Sequence, residues 1–454
     1  MNFRQMIDDQ RNYFSTGITK SYAFRLEALK KLKKAIIENE QLLAAAMKAD
    51  LNKSPSESYF CETGIVLDEI GVHIKKLKKW MKNERVTPSL AQFPGSCFRS
   101  PEPYGVVLIM APWNYPINLC FEPVIGAISA GNTMVVKPSN YAPETSHVIA
   151  KILGETFPAQ YVCVVEGGRQ QNSALLEQRF DYIFFTGSPA VGKIVMESAA
   201  KNLTPVTLEL GGKSPVIVDE TANIPLAARR IAFGKVLNAG QTCVEPDYLL
   251  IHSSVKDAFV KAFAEALEKF FPKGDYASMV TIITQKHYER IKGLMEGEKI
   301  LLGGRYEDER RFIEPTLIDG VTLDSPIMKE EIFGPLLPMM TFDHLEEGIN
   351  VIHSMEKPLA LYLFSTNKEN QQKILDSCSF GGGCINDVIM HFVNPKLPFG
   401  GVGHSGMGSY HGKKSFETFS HYRSVFKQSS KIDLPIRYMP YTRKKDALIR
   451  KVFK

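Results

Sequence analysis

Over the first eighty residues, apolar side chains return at three- and four-residue steps. Phe24, Leu29, Leu32, Ile36, Leu43 and Met47 form one stripe, and Ile70, Ile74, Leu77 and Met81 form another, both set among Lys and Glu. That period predicts amphipathic helices with one face turned to a core. Between Val86 and Tyr104 the texture changes to TPSLAQFPGSCFRSPEPY, which is rich in proline and has no helical period. It predicts a linker or an extended hairpin projecting from the body. From Tyr104 onward, short β-branched or aromatic runs at 105–110 (GVVLIM), 133–136 (TMVV), 162–165 (VCVV) and 182–185 (YIFF) alternate with helix-compatible segments. Gly, Pro, Ser or Asn punctuates each junction. Strands of this kind are buried on both faces, so the pattern predicts βαβ units and a twisted parallel sheet covered by helices.

A second such region follows Gly211. A strand is predicted at 215–218 (PVIV), a helix over about 224–237, a strand at 248–251 (YLLI) and a strongly periodic helix over 255–271. The glycine-rich stretch 380–384 and the run LPFGGVGHSGMG at 397–408 suit tight loops rather than regular elements. No internal repeat or low-complexity tract is present.

Composition narrows the class. A chain of 454 residues with 44% hydrophobic and 23% charged residues is an ordinary globular one with room for large cores. A net charge of +6 with no aromatic-interleaved basic stripe does not call for nucleic acid. The cysteines (61, 97, 120, 163, 243, 378 and 384) are scattered, odd in number and never in a C-x-x-C pair. A reducing, cytoplasmic compartment is therefore expected, and no disulfide framework. No H-E-x-x-H or zinc-spaced cluster occurs, so no metal is expected. Asp8 and Asp9 stand where a signal peptide would carry cationic charge, and the apolar runs are far shorter than the ~18 residues a spanning helix needs. The basic C-terminal tail reads as a solvated tail or helix in preference to a membrane-surface patch.

Several residues could carry chemistry. Cys243, in NAGQTCVEPDY, follows a helical segment and a Gly and precedes Pro246, which places it in a turn. A thiol attacks carbon only as thiolate, and a turn rich in backbone N–H groups can stabilise one. Glu209, in TLELGGKSP, ends a strand-like run and meets a Gly-Gly turn, where a carboxylate can reach into a cleft as a general base on water. Asn114, in APWNYP, directly follows the GVVLIM strand, where an amide can donate to a developing oxyanion. The run FTGSPAVGK (185–193) reads as strand, turn and helix start, so Gly187, Ser188 and Gly192 could line a pyrophosphate site. Lys137, ending another strand in VVKPS, could hold ribose hydroxyls or a phosphate. KEEIFGP (329–335) sets Glu331 and Phe333 beside a Gly-Pro turn, an arrangement that could be a hinge or a clamp for a sugar and a flat ring. Taken singly, each has a plain alternative: a buried small hydrophobe for the cysteine, a cap or ion pair for the glutamate, a turn former for the asparagine, and an ordinary strand–helix turn for the glycines.

In order, however, APWNYP, KPS, FTGSPAVGK, ELGGKSP, GQTCVEPDY, KEEIFGP and LPFGGVGHSGMG resemble the motifs of the aldehyde dehydrogenase superfamily, from about residue 21 to residue 426. The short N-terminal lead and the ending KKSFETFSHYRSVF followed by RYMPY resemble its class 3 (fatty or aromatic aldehyde) branch. The resemblance implies Cys243 as nucleophile, Asn114 with the backbone N–H of Cys243 as oxyanion hole, and Glu209 as the base that activates water. It implies Lys137 and Glu331 at the riboses, Phe333 near the nicotinamide ribose, and Gly187, Ser188 and Gly192 at the pyrophosphate turn. It further implies NAD or NADP as cofactor and a small-molecule aldehyde, medium- or long-chain aliphatic or aromatic, oxidised to its acid through a thiohemiacetal and a thioester.

Two positions depart from the branch. Asn140 stands where a Glu commonly bonds the adenine-ribose hydroxyls, and losing that carboxylate removes its repulsion of a 2′-phosphate. Glu245, two residues after the nucleophile, stands where small residues are usual, and either narrows the aldehyde tunnel or points to solvent. The alternatives of the same fold are a CoA-acylating enzyme, which generally lacks the water-activating carboxylate, and a catalytically silent scaffold. A cysteine hydrolase finds no histidine motif.

The expected architecture is α/β: a Rossmann-type parallel-sheet cofactor domain (1–85 and 105–210), a second α/β catalytic domain (211–393), a bridging and oligomerisation β element (86–104 and 394–430) and a tail (431–454). An exposed hairpin edge is a natural pairing site, so a homodimer is expected, with no transmembrane anchor.

Overall fold

The computed structural model describes residues 2–452; residues 1, 453 and 454, the first of the cofactor-domain span and the last two of the tail, lie outside it. Helices Phe3–Ser15, Tyr22–Glu38, Glu40–Leu51 and Gly64–Trp80 account for most of the first eighty residues, and Leu29, Leu32, Ile36, Leu43 and Met47 of the predicted stripes are fully buried.

The first βαβ region forms a six-stranded sheet in the order Gly406–Met407, Val206–Leu210, Tyr182–Gly187, Val106–Met110, Thr133–Lys137, Val162–Val164. All neighbours are parallel except Gly406–Met407, which pairs antiparallel with Val206–Leu210. Chain order reverses at the Val106–Met110 strand. Two connections leaving the sheet in opposite directions open a crevice at its carboxyl end, the place where ligands bind in such folds. The helix Asn118–Ala130 lies beneath this crevice, buried at every residue except Leu119.

The second region forms a seven-stranded sheet: Lys299–Leu302, Thr316–Asp319, Leu336–Phe342, Tyr248–His252, Pro215–Val218, Ala360–Phe364, Gly382–Ile385. It too is parallel apart from one edge, Lys299–Leu302. The predicted 255–271 helix is Lys256–Phe270, burying Phe259, Phe263, Ala266 and Leu267.

Of the two readings of segment 86–104 the hairpin holds: Glu84–Val86 pairs with Ser96–Pro103, which pairs in turn with Ser420–Lys427 from Pro103↔Ser420 to Ser96↔Lys427. Two local expectations change. Stretch 380–384 is no loop, because Gly382–Ile385 is an edge strand on Ala360–Phe364. Run 397–408 is not all loop either. Gly406 approaches Leu208 so closely that any Cβ would overlap its carbonyl, which lets Gly406–Met407 extend the six-stranded sheet. Both glycine-rich runs thus supply backbone pairing where a side chain would not fit. Among the described residues no helix is long and apolar enough to cross a membrane.

Candidate active site

A cavity of about 390 Å³ opens between the carboxyl end of the six-stranded sheet, which carries Asn114, Gly187, Ser188 and Glu209, and segments leading into strands of the seven-stranded sheet, which carry Cys243, Glu331 and Phe333. The sequence separates these residues by more than two hundred positions, and the fold brings them to one space.

The turn bearing Cys243 is strained and tightly held. After the helix Ile224–Val236, residues Asn238, Ala239 and Gly240 adopt left-handed backbone with φ of 52°, 52° and 72°. Two consecutive side-chain-bearing residues in that region cost energy and persist only if their surroundings over-determine them. Here Asn238 Nδ2 donates to the carbonyls of Asn114 (2.9 Å) and Gln241 (3.0 Å), and its N–H donates to Glu57 Oε1 at 2.9 Å. Gln241 Nε2 donates to Thr281 O (3.1 Å), and Gln241 Oε1 accepts from the Ile283 N–H (3.0 Å). On either side of the cysteine, the Tyr115 hydroxyl meets Thr242 Oγ1 at 2.7 Å and the Tyr362 hydroxyl donates to Val244 O at 2.6 Å. Thr242 and Val244 are buried, while Cys243 alone stays partly open to the cavity.

Asn114 is buried, and its Nδ2 donates to Gln241 O at 3.1 Å. A primary amide carries two N–H groups. One is used on the Cys243 turn, and the other is left for an oxygen in the cavity. The loop bearing Asn114 is anchored from below by Glu62, whose Oε2 accepts from the Ile117 and Asn118 N–H groups at 2.9 and 3.0 Å. Glu62 is itself paired with Lys53 Nζ at 2.8 Å, both fully buried, and the ammonium lies 4.5 Å from the Tyr115 ring centroid.

Glu209 lies in the strand Val206–Leu210, buried, with neither carboxylate oxygen partnered within the protein. Burial holds its carboxyl well above the ordinary range, because the charged form is disfavoured away from water. Burial also pushes the Cys243 thiol up; the nearby Glu331 and Glu209 carboxylates add to that, and the N–H groups of Cys243 and Val244 oppose it. Glu331 is raised to about 8, by burial first and Asp247 second, with the Gly212 N–H, Lys213 and Arg290 opposing. Any Cβ on Gly211 would overlap the Glu331 carboxylate, so the Gly-Gly turn after Glu209 makes room for it.

Three other predicted residues do not line this cavity. Lys137 is buried, donates to Pro138 O at 2.6 Å and is lowered to about 8 by burial. Asn140 is exposed, with its amide beside Gly168. Gly192 faces Leu210 (2.7 Å from where its Cβ would sit), so it packs a helix onto the sheet. Glu245 neither narrows the tunnel nor reaches solvent: it is buried in an ion pair with Lys235 Nζ at 2.9 Å. Gln241, Asn238, Tyr115 and Glu62 had no local signal, because their roles exist only through partners distant in the chain.

The arrangement suits a nicotinamide dinucleotide. Ser188 caps the helix Pro189–Ala200, whose N-terminus looks onto the crevice and offers unpaired N–H groups to a diphosphate. Glu331 Oε1 is buried without a partner, as an acceptor awaiting ribose hydroxyls would be. Phe333, at φ 52°, sets its ring edge-on to Trp113, 5.4 Å between centroids.

A doubly wound cofactor crevice facing a cysteine turn, with an amide donor and a buried carboxyl beside it, defines the class. The chain belongs to the aldehyde dehydrogenase family, whose sequence profile matches residues 2–425. It is 50% identical over 444 residues to the 4,4'-diaponeurosporen-aldehyde dehydrogenase of Staphylococcus aureus, covering 96% of each chain. It is 44% identical over 424 residues to the dimeric NADP-preferring aldehyde dehydrogenase of Rattus norvegicus, covering 92% of this chain and 93% of that one. Among solved structures, the substrate-bound state of Staphylococcus aureus AldH superposes with a TM-score of 0.98 at 49% identity over the whole of both chains. The protein is thus an oxidoreductase acting on aldehydes with NAD or NADP.

Proposed function

We propose that the protein oxidises long apolar or aromatic aldehydes to carboxylic acids by covalent chemistry at Cys243, the reading supported above all by the convergence of Cys243, Asn114 and Glu209 on one cavity wall. The thiolate adds to the aldehyde carbon, and the carbonyl electron pair moves onto oxygen. Asn114 Nδ2 and the Cys243 N–H stabilise that oxyanion. As the oxyanion on Cys243 collapses to a thioester the former aldehyde C–H bond breaks, and NAD(P)+, when bound, would supply the acceptor for that hydride, which a thiol cannot provide. Glu209 then takes a proton from water, the resulting hydroxide attacks the thioester on Cys243, and the carboxylic acid leaves as the thiolate is restored. A CoA-acylating enzyme would have no use for a buried, unpartnered Glu209.

The substrate class is supported by the cavity's apolar walls, among them Phe60, Leu119, Phe233, Ile389, Phe392 and Phe399. The Staphylococcus aureus relative is named for 4,4'-diaponeurosporen-aldehyde. Lys137, Asn140, Gly187, Ser188, Glu331 and Phe333 are assigned to the cofactor. Gly192 is assigned to packing the helix whose N-terminus receives the diphosphate. With Asn140 in place of a carboxylate, NADP is accepted alongside NAD, in line with the NADP-preferring relative. The domain division is that given above, with Gly406–Met407 as an arm of the bridging segment reaching the cofactor sheet. A homodimer is supported by the outer edge of Ser420–Lys427, an eight-residue edge strand carrying a 43% exposed Phe426, and by exposed Val191 and Ile194. The cytoplasm fits the seven free cysteines.

The test is absorbance at 340 nm with aliphatic aldehydes of increasing length and with benzaldehyde, each with NAD+ and NADP+. Reduction that strengthens with chain length and needs no CoA is expected. Absence of reduction, or dependence on added CoA, would overturn the proposal.

A further inference from the structure

The carboxylates at the second and fourth positions after the nucleophile grip the backbone on both sides of Phe333. Glu245 Oε1 accepts from the Gly334 N–H at 3.3 Å, and Asp247 Oδ2 accepts from the Ile332 N–H at 2.9 Å. Each carboxylate has its own buried cation. Lys235 Nζ donates to Glu245 Oε2 and to Pro246 O, both at 2.9 Å. Lys213, three residues beyond Leu210 on the turn after Glu209, pairs with Asp247 and donates to Ile327 O (2.9 Å) and Glu330 O (2.8 Å). From the other side, Arg290 donates to Ile332 O at 2.6 Å. The loop cannot drift without breaking charge-assisted bonds.

The residue so flanked is strained: Phe333 is a bulky side chain at φ 52°. Backbone in that region needs external support, and two amides pinned on either side provide it. The approach is close enough that a Cβ on Gly240, in the nucleophile turn, would overlap both the Gly334 carbonyl and Glu245. Nucleophile turn and Phe333 loop are therefore in direct contact, through backbone as well as through carboxylates. A carboxylate at position 245 placed simply for solubility would face water; this one is buried and paired.

We propose that Glu245, held by Lys235, and Asp247, held by Lys213, are positioning residues that lock the Glu331–Phe333 clamp to the Cys243 turn, setting the distance between bound cofactor and nucleophile. The proposal rests on Glu331 and Phe333 contacting the cofactor. Truncating Glu245 alone would leave Lys235 a buried cation without its counter-charge, a folding defect in its own right. The informative variant replaces the pair together, Lys235→Met with Glu245→Leu, which removes both charges and the acceptor while keeping volume.

The experiment measures the dissociation constants of NAD+ and NADP+ and the primary deuterium isotope effect on turnover of a 1-deuterated aldehyde. The double variant is expected to weaken cofactor binding about tenfold and to raise the isotope effect, as hydride transfer becomes rate-limiting. Lys235→Met with Glu245→Gln, which also removes both charges but retains an acceptor for the Gly334 N–H, is expected to keep cofactor affinity within about threefold of wild type. Glu331→Gln serves as control: if it leaves cofactor affinity unchanged, the clamp reading fails and the proposal with it. If Glu331→Gln weakens binding but the folded Lys235→Met, Glu245→Leu variant does not, the proposal alone is overturned. Amide exchange in the cofactor-free wild-type enzyme reads the lock without any substitution. Slow exchange at Ile332 and Gly334 is expected, and exchange at the rate of an open loop would contradict it.

Discussion

The side-chain amide of Asn114 donates to the carbonyl of Gln241 at 3.1 Å, tying the loop at the end of one sheet to the turn that presents Cys243 from the other. In the proposed mechanism the donor for the oxyanion is thereby positioned before any aldehyde arrives, and such preorganisation is where donors gain most of their effect. Asn114→Ala should lower kcat/KM by about 10²- to 10³-fold while leaving cofactor affinity near wild type. Steady-state kinetics with a fluorescence titration of NADH checks both halves of that expectation. A large loss of cofactor affinity would mean the residue supports the crevice rather than the reaction.

Glu209 sits above the ordinary carboxyl range because burial disfavours its charge. Its base form therefore appears at higher pH than that of an ordinary carboxyl, and grows as pH rises. Turnover should accordingly climb from neutral to alkaline pH. Glu209→Gln should give a burst of reduced cofactor close to one per active site, then a steady state slower by about 10²-fold or more and without that climb. Stopped-flow absorbance at 340 nm across a pH series reads burst and slope together. An unaltered steady-state rate would remove Glu209 from the base role.

Much of this was legible from local pattern. The GVVLIM, TMVV and YIFF runs are strands because a strand buried on both faces needs nothing but apolar residues, and the motif residues sit at strand ends or turns that Gly and Pro announce. What escaped was set by contacts across the chain. Gly406–Met407 is a strand only because Val206–Leu210 offers it an edge. Glu245 could not be placed from its neighbours, since its counter-ion Lys235 lies ten residues back on a helix and its amide partner, Gly334, lies eighty-nine residues on. Gly192 looked like a phosphate glycine but is small to admit Leu210.

The Lys53–Glu62 pair underlies the loop bearing Asn114, with Glu62 also accepting from two backbone N–H groups. Glu62→Ala would strand a buried ammonium and two amides. Removing one partner of such a pair costs about 3–5 kcal/mol. Urea unfolding should show a loss of that order, with activity falling in parallel as Asn114 loses its footing. A change under about 1 kcal/mol would show that water replaces the carboxylate without penalty.

At the adenine-ribose end, Asn140→Glu should restore a carboxylate that repels a 2′-phosphate. The KM for NADP+ should rise about tenfold or more, with little change for NAD+, equivalent to about 1.4 kcal/mol of discrimination. Equal effects on the two cofactors would place Asn140 away from the ribose.

The central claim is that the aldehyde carbon becomes bonded to the sulfur of Cys243. It is tested most directly by acid-quenching Glu209→Gln during the burst, with aldehyde and NAD+ present, and mapping the acyl mass by peptide mass spectrometry. The account predicts close to one acyl group per chain, on the peptide carrying Cys243 and absent when Cys243→Ala is introduced. An acyl group on another residue, or a full burst with Cys243 unmodified, would contradict it.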